Sequence, residues 1–380
     1  MLSVLRKVHQ GPVTKVHQRP VTWRHLAAAA TMIVAVSLVL AAGCRPGDVG
    51  TLRAPASPGA TATATPGPLS AAVVTPPGTL PGPGAAGNPL AGVRFYDDPD
   101  TRADAVTARL RSRSPANASL LDKIAGTPQA MWLGDWFPTT QVRTMVAARV
   151  SSARAAHAIA IFAVYHIPAR DCGGYSAGGA NSPAEYRAWI SEVAAGIDSG
   201  PAAVVLEPDA IAGADCLSAA DRQTRYTLIR EAGMLLTQHG ATVYLDAGQP
   251  DWRPATEMAG RLRLAGVAAV RGFALNTANF VDTTDLLAYG DQIVDELGGS
   301  GHFVVDTSRN GRGPAPDRQW CNPAGRALGT RPTTATGDER ADAFLWVKGP
   351  GESDGTCNGG PPAGEFWTDY ALGLAKRAPY

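Results

Sequence analysis

The chain has 380 residues. They are 45% hydrophobic, with eight Trp, 42 Gly and 30 Pro, and 34 basic side chains stand against 33 acidic ones for a net charge of +1. That apolar content can fill a core, which excludes a wholly disordered chain. The folded part holds no basic block, so a nucleic-acid partner is excluded, and a single long uncharged stretch excludes a polytopic membrane protein.

Residues 1–25 carry Arg6, Lys7, Lys15, Arg19 and Arg24 and no acid, and residues 26–43 carry no charge. A basic region followed by an apolar one reads as an export signal and is set apart from the fold. It ends in LAAGC at 40–44, similar to a bacterial lipobox except that Ala41 stands where Leu is usual. Lipidation at Cys44 is one expectation. An uncleaved signal anchor or ordinary cleavage nearby are the others. In each case the chain is expected to be secreted or tethered to the outer side of a bacterial envelope, with membrane anchoring through Cys44 or the apolar segment.

Residues 45–88 hold nine Pro, three charges and no aromatic residue, with Ala, Thr and Gly filling most of the rest. Such a segment buries too little apolar surface to fold and is expected to be an extended linker. Residues 1–43 contribute +5 and the linker +1, so residues 89–380 carry −5. A mildly acidic domain disfavours anionic polymers as partners.

Within 89–380, short apolar runs recur at 129–133, 158–165, 203–206, 242–245, 272–275, 303–305 and 343–347. Helical stretches lie between them. Ser182, Pro183 and Glu185 form a start signal for a helix reaching about 198, and 219–238 and 283–297 also read as helices. Strands alternating with helices predict a parallel sheet, wound or closed, and the length suits one α/β barrel. Four cysteines remain after Cys44, and in an exported chain they predict two disulfides. Sequence order suggests Cys172–Cys216 and Cys321–Cys357. No CxxC occurs, and His157, His166, His239 and His302 do not cluster at ligand spacing, so neither metal nor cofactor is expected.

Polar groups follow the strands: Asp171, Asp209, Asp246, Asn276, Asp306, then Lys348, Glu352 and Asp354. Parallel strands put their C-terminal ends on one face, so these groups are expected to converge there. Helix capping could account for one or two of them, but six is too many for that explanation. Crowded carboxylates raise one another's pKa and supply a general acid near neutral pH. Trp132, Trp136, Tyr165, Trp252 and Trp320 offer planes on which sugar rings stack, whereas Trp346, inside an apolar run, is expected in the core. Acids beside aromatic planes point to glycoside hydrolysis.

The segments YHIPARDC (165–172), LEPDA (206–210), YLDAG (244–248), QWCN (319–322) and WVKGPGESDG (346–355) together resemble glycoside hydrolase family 6. These are inverting β-1,4-glucanases, endoglucanases and cellobiohydrolases, and the resemblance extends over 89–380. It implies a distorted single (β/α) barrel of about seven parallel strands. It also implies hydrolysis of internal β-1,4-glucosidic bonds, with Asp209 as proton donor. Asp171 would tune that donor's pKa and help hold the water, and Asp354 would be the base, directly or through water. Asp246 would shape the site, Tyr165 would press on the distorted sugar, and Asp246, Gln249 and the strand-end Asn276 are expected among the substrate-binding residues. Trp132, Trp252 and Trp320 would stack glucose, Lys348 and Glu352 would contact hydroxyls, and Arg170 would neutralise the acid cluster. Two positions depart from the family: Gln249 stands where His is usual, and His166 where Asp or Asn is common. The expected partner is β-1,4-glucan, bound by a monomer. Other β-glucans, cellobiohydrolase action and non-catalytic glycan binding are the alternatives. Cys357 follows Asp354 by only three residues, leaving little room for a roof, so an open cleft is expected. The glycine-rich loop 173–179 is expected to be a mobile lid, or else a plain surface loop.

Overall fold

The computed structural model describes residues 87–198 and 200–380. The expectations for Cys44, the apolar segment 26–43 and the linker up to residue 86 lie outside the described residues. Seven strands form one sheet in sequence order, every neighbouring pair parallel: β1 Met131–Leu133, β2 Ala160–Val164, β3 Ala202–Leu206, β4 Ala241–Asp246, β5 Gly272–Leu275, β6 His302–Asp306 and β7 Ala341–Leu345. The eight α-helices among the described residues are α1 Arg102–Arg111, α2 Pro115–Ala125, α3 Thr139–Ala155, α4 Pro183–Ile197, α5 Ala219–Gln238, α6 Ala255–Leu264, α7 Thr283–Glu296 and α8 Thr368–Arg377.

Side chains alternate across each strand, so each buried run feeds two cores. One face packs Phe162, Val204, Leu245, Phe273 and Phe303 against helices α3 to α7. The other face gathers Ile161, Ala163, Ala203, Val205, Tyr244, Ala274, Val304, Ala343 and Leu345 into a central cluster, plugged by Leu90. Four of these nine residues are alanines, which lets the sheet curl tightly round a narrow interior. The curl stops short of a complete ladder. Strands β1 and β7 meet through the Ala130 N–H on the Trp346 carbonyl (2.9 Å) and the Trp132 indole N–H on the Val347 carbonyl (2.8 Å). The result is the expected seven-stranded distorted barrel. Trp346 is fully buried in a third cluster with α2 and α8, as its apolar setting predicts.

Local chemistry sets the helix starts. The Ser182 hydroxyl accepts from Glu185 N–H at the head of α4, and Ser218 does the same for Asp221 at α5. Both disulfides, Cys172–Cys216 and Cys321–Cys357, form as sequence order suggests. The first ties the loop after β2 to the loop after β3. The second ties the long β6–β7 connection to the loop after β7. Both therefore brace the face where the strands end.

Candidate active site

The strand ends open into a cleft of about 1390 Å³. Asp171, Asp209 and Asp354 all line it, with Trp132, Tyr165, Arg170, Gln249, Trp252, Trp320, Lys348 and Glu352. Three other predicted or motif groups at the strand ends do not reach it, because their side chains are turned to the backbone. Asp246 is fully buried and its Oδ1 accepts the N–H of Asp209 (3.0 Å) and of Gly248 (3.1 Å). Asn276 is fully buried too, donating to the Asp306 carbonyl (2.8 Å) and accepting from Val281 N–H (3.1 Å). It lies outside the cleft lining, so its place is structural rather than at a sugar. The Asp306 carboxylate takes four backbone N–H groups, from Ala278, Ser308, Val347 and Lys348. It fastens the ends of β5, β6 and β7 to one another.

Backbone conformation aims the acids that do reach the cleft. Asp171 (φ 52) and Asp209 (φ 67) are both left-handed, as are Glu207, Asn276 and Asn322. Non-glycine residues held there cost roughly 1–3 kcal/mol each and persist only where surrounding contacts over-determine them. Glu207 is one such brace. It is wholly buried, and its carboxylate accepts from the His166 and Ile167 N–H groups at 3.0 Å. Burial pushes Glu207 up to about 7 against those donors. The LEPDA segment contains it, but nothing in its spacing distinguishes it from its catalytic-looking neighbour.

Asp209 is perturbed both by burial and by its neighbours. Desolvation raises its pKa well above the usual value, and Asp246, Asp171 and Asp354 add like-charge repulsion that Lys348 only partly offsets. Burial likewise pushes Asp246 up to about 6, against the Thr277 hydroxyl and two backbone N–H donors. The two carboxyls therefore titrate as a pair rather than as independent groups.

Asp354 is held differently. Its Oδ2 accepts from Arg309 Nη1 (2.9 Å) and Asn322 N–H (3.0 Å), and its Oδ1 lies 3.6 Å from Lys348 Nζ. Arg309 is completely buried and Asn322 nearly so. Both sit in the irregular β6–β7 connection, where no periodicity marks them. The Asp171 Oδ2 accepts from Ser176 N–H (2.7 Å), folding the glycine-rich loop back over its own acid. From that loop Tyr175 reaches across to Gly355, where an added Cβ would come within 2.5 Å of its ring, and lies 6.2 Å from the Trp320 ring.

Arg170 pairs with Asp135 (2.7 Å), not with Asp171, and binds the carbonyls of Tyr165 and Ser176. Its guanidinium lies 4.6 Å from the Tyr165 ring centre. The arginine is thus a loop organiser as well as a counter-charge. Trp132 meets Tyr165 edge-on at 5.3 Å, and Lys348 Nζ lies 6.0 Å from its ring centre. Trp252 packs on Gly213 and Gly248, and Trp320 is 53% exposed. Desolvation raises the Glu352 pKa, with Lys348 and Arg102 opposing. His166 turns into the core, 4.4 Å from the Trp189 ring, so that family departure leaves the cleft surface unchanged. Gln249 does face the cleft, with its Oε1 accepting from Asp251 N–H.

The family model for glycosyl hydrolases family 6 matches residues 90–378. Endoglucanase A of Cellulomonas fimi is 45% identical over 285 residues, covering 75% of this chain and 61% of its own length. Endoglucanase A of Thermobispora bispora is 44% identical over 290 residues, covering 75% and 62%. The chain thus spans about three fifths of the length of these two relatives. Among solved structures, the endoglucanase Cel6 from Mycobacterium tuberculosis, in complex with methyl-cellobiosyl-4-deoxy-4-thio-β-D-cellobioside, is 49% identical with a TM-score of 0.73. That match covers 76% of this chain and 98% of the other.

Proposed function

The chain belongs to glycosyl hydrolase family 6, and on that premise we propose that it cleaves internal β-1,4-glucosidic bonds of a β-glucan with inversion at the anomeric carbon. The observation that carries this reading is Asp209. It is a carboxyl in an aromatic-walled cleft, desolvated, backed by Asp246 and faced by Asp171 and Asp354. Such a group keeps its proton where an ordinary aspartate has lost it, and a glycosidic oxygen needs that proton to leave.

In this mechanism Asp209 protonates the bridging oxygen as the bond to the anomeric carbon breaks. Water attacks the opposite side of the sugar. Asp171 helps hold that water, and Asp354 takes up its proton, directly or through a further water, at Oδ1. The other oxygen of Asp354 is already committed to Arg309 and Asn322. Tyr165, buried between Arg170 and Trp132, presses on the ring at the cleavage point. Trp132 on β1 and Trp252 after β4 lie on either side of β2 and β3, so a chain crossing the acids meets an aromatic plane in each direction. The short Asp354–Cys357 segment, held down by Cys321, supports entry along the length of a chain rather than at its end. The sequence of residues 1–44 supports secretion or tethering outside the cell.

The test compares viscosity loss with reducing-end release on a soluble cellulose ether. Internal cleavage drops viscosity long before many ends appear, and Asp209→Ala slows both by roughly 10²–10⁴. Viscosity tracking end release one for one, or an Asp209→Ala variant with wild-type rates, overturns the reading.

A further inference from the structure

Beside Trp132 the cleft wall carries a second indole, Trp136, which the hydrolytic mechanism does not use. Half of its surface is exposed (50%), yet the ring is fixed on several sides. Its Nε1 donates to the Trp132 carbonyl (3.3 Å), and the Arg170 guanidinium lies 5.5 Å from its ring centre. Its six-membered edge rests on Gly134, where an added Cβ would come within 2.6 Å of the ring. The turn that carries it is pinned by Phe137 N–H on the Gly134 carbonyl (2.9 Å) and by the Trp189 indole N–H on the Phe137 carbonyl (2.8 Å). The neighbouring Asp135 pairs with Arg170 through one oxygen and keeps 41% of its side chain exposed.

A large apolar plane held rigid at the edge of a cleft, with a part-exposed carboxylate beside it, fits one chemistry. A pyranose ring lays its C–H face on the indole and offers an equatorial hydroxyl to the carboxylate. Holding the ring in place beforehand removes the ordering cost that a mobile side chain would incur on binding. We propose that Trp136, with Asp135, forms an additional glucose-binding platform on the β1 side of the cleft, lengthening the stretch of glucan that the protein holds. This rests on the β-glucan reading of the site.

The test is calorimetry of cellotriose, cellotetraose and cellohexaose binding to the Asp209→Ala protein, with and without Trp136→Ala and Trp136→Phe. An aromatic contact of about 0.5–1.5 kcal/mol predicts a two- to tenfold loss of cellohexaose affinity in the alanine variant. The loss should shrink as the oligosaccharide shortens, and phenylalanine should restore most of it. An equal loss at every length overturns the proposal, since Trp136 would then act only by packing Arg170. So does an unchanged cellohexaose affinity. A wild-type protein that binds cellohexaose without cleaving it overturns the hydrolase reading, while the length-dependent difference still decides the platform.

Discussion

Asp246→Asn isolates the electrostatic part of the mechanism. Asn keeps an oxygen for the N–H groups of Asp209 and Gly248 and removes the charge beneath the donor. Asp246 Oδ1 lies 3.0 Å from the Asp209 backbone nitrogen, which puts the two carboxyl groups on the order of 5–7 Å apart. At that spacing and an effective dielectric of about 20, the Coulomb repulsion is roughly 2–3 kcal/mol, or about two pH units at most. The donor must be protonated to act, so the variant loses activity at lower pH than the wild type. The alkaline limb of kcat/KM on cellohexaose, an uncharged substrate, should move down by about one to two units. The stability signature follows by linkage. Folding raises Asp246 to about 6, so its contribution is present below about 4 and is lost as pH rises through 6. The melting temperature of the variant relative to wild type should therefore improve above pH 6. An alkaline limb that stays in place, or moves up, in a variant that folds normally would refute the coupling between these two carboxyls.

Three further outcomes follow from the structure. Asp209→Ala should slow cellohexaose hydrolysis by roughly 10²–10⁴ while sparing a dinitrophenyl glycoside whose leaving group needs no proton, and equal losses on both would remove Asp209 as donor. Asp306→Ala strands four backbone N–H groups in the interior, at about 1–3 kcal/mol each, so thermal denaturation should show a fall of about 8 °C or more, and a fall under 3 °C would contradict the fastening role. Opening Cys321–Cys357 by double Ser substitution frees a loop with a sequence separation of 36, for which chain entropy predicts a loss of about 4 kcal/mol in denaturant titration, with KM for cellohexaose rising as Trp320 loses its anchor.

The strands were legible because each contains a short apolar run, and the apolar runs at 242–245 and 272–275 fall within or on β4 and β5. The last run misleads by two residues. Trp346 and Val347 extend the apolar pattern of 343–347, but β7 ends at Leu345, where its neighbours begin to bond across to Ala130 and Trp132 instead. Helix α4 was legible from its Ser182, Pro183 and Glu185 start signal. Convergence of the strand-end acids was legible from parallel topology, yet the direction of each side chain was not. Asp209 and Asp306 both follow strands, but one faces the cleft and the other is taken up by four amides. That difference lies in left-handed backbone angles and in partners far away in sequence. The same applies to Arg309 and Asn322, which lie in a connection without periodicity and meet Asp354 only through the fold.

The chemistry turns on Asp209 giving its proton to a bridging oxygen while water arrives from the far side of the sugar. Proton NMR of cellohexaose digestion, recorded in the first minutes before mutarotation, reads that geometry directly. New reducing ends should appear first as the α-anomer and relax toward equilibrium. Fresh β-anomer would mean that water and leaving group share a face, and Asp209, Asp171 and Asp354 could not then be the donor, the water holder and the base of an inverting reaction.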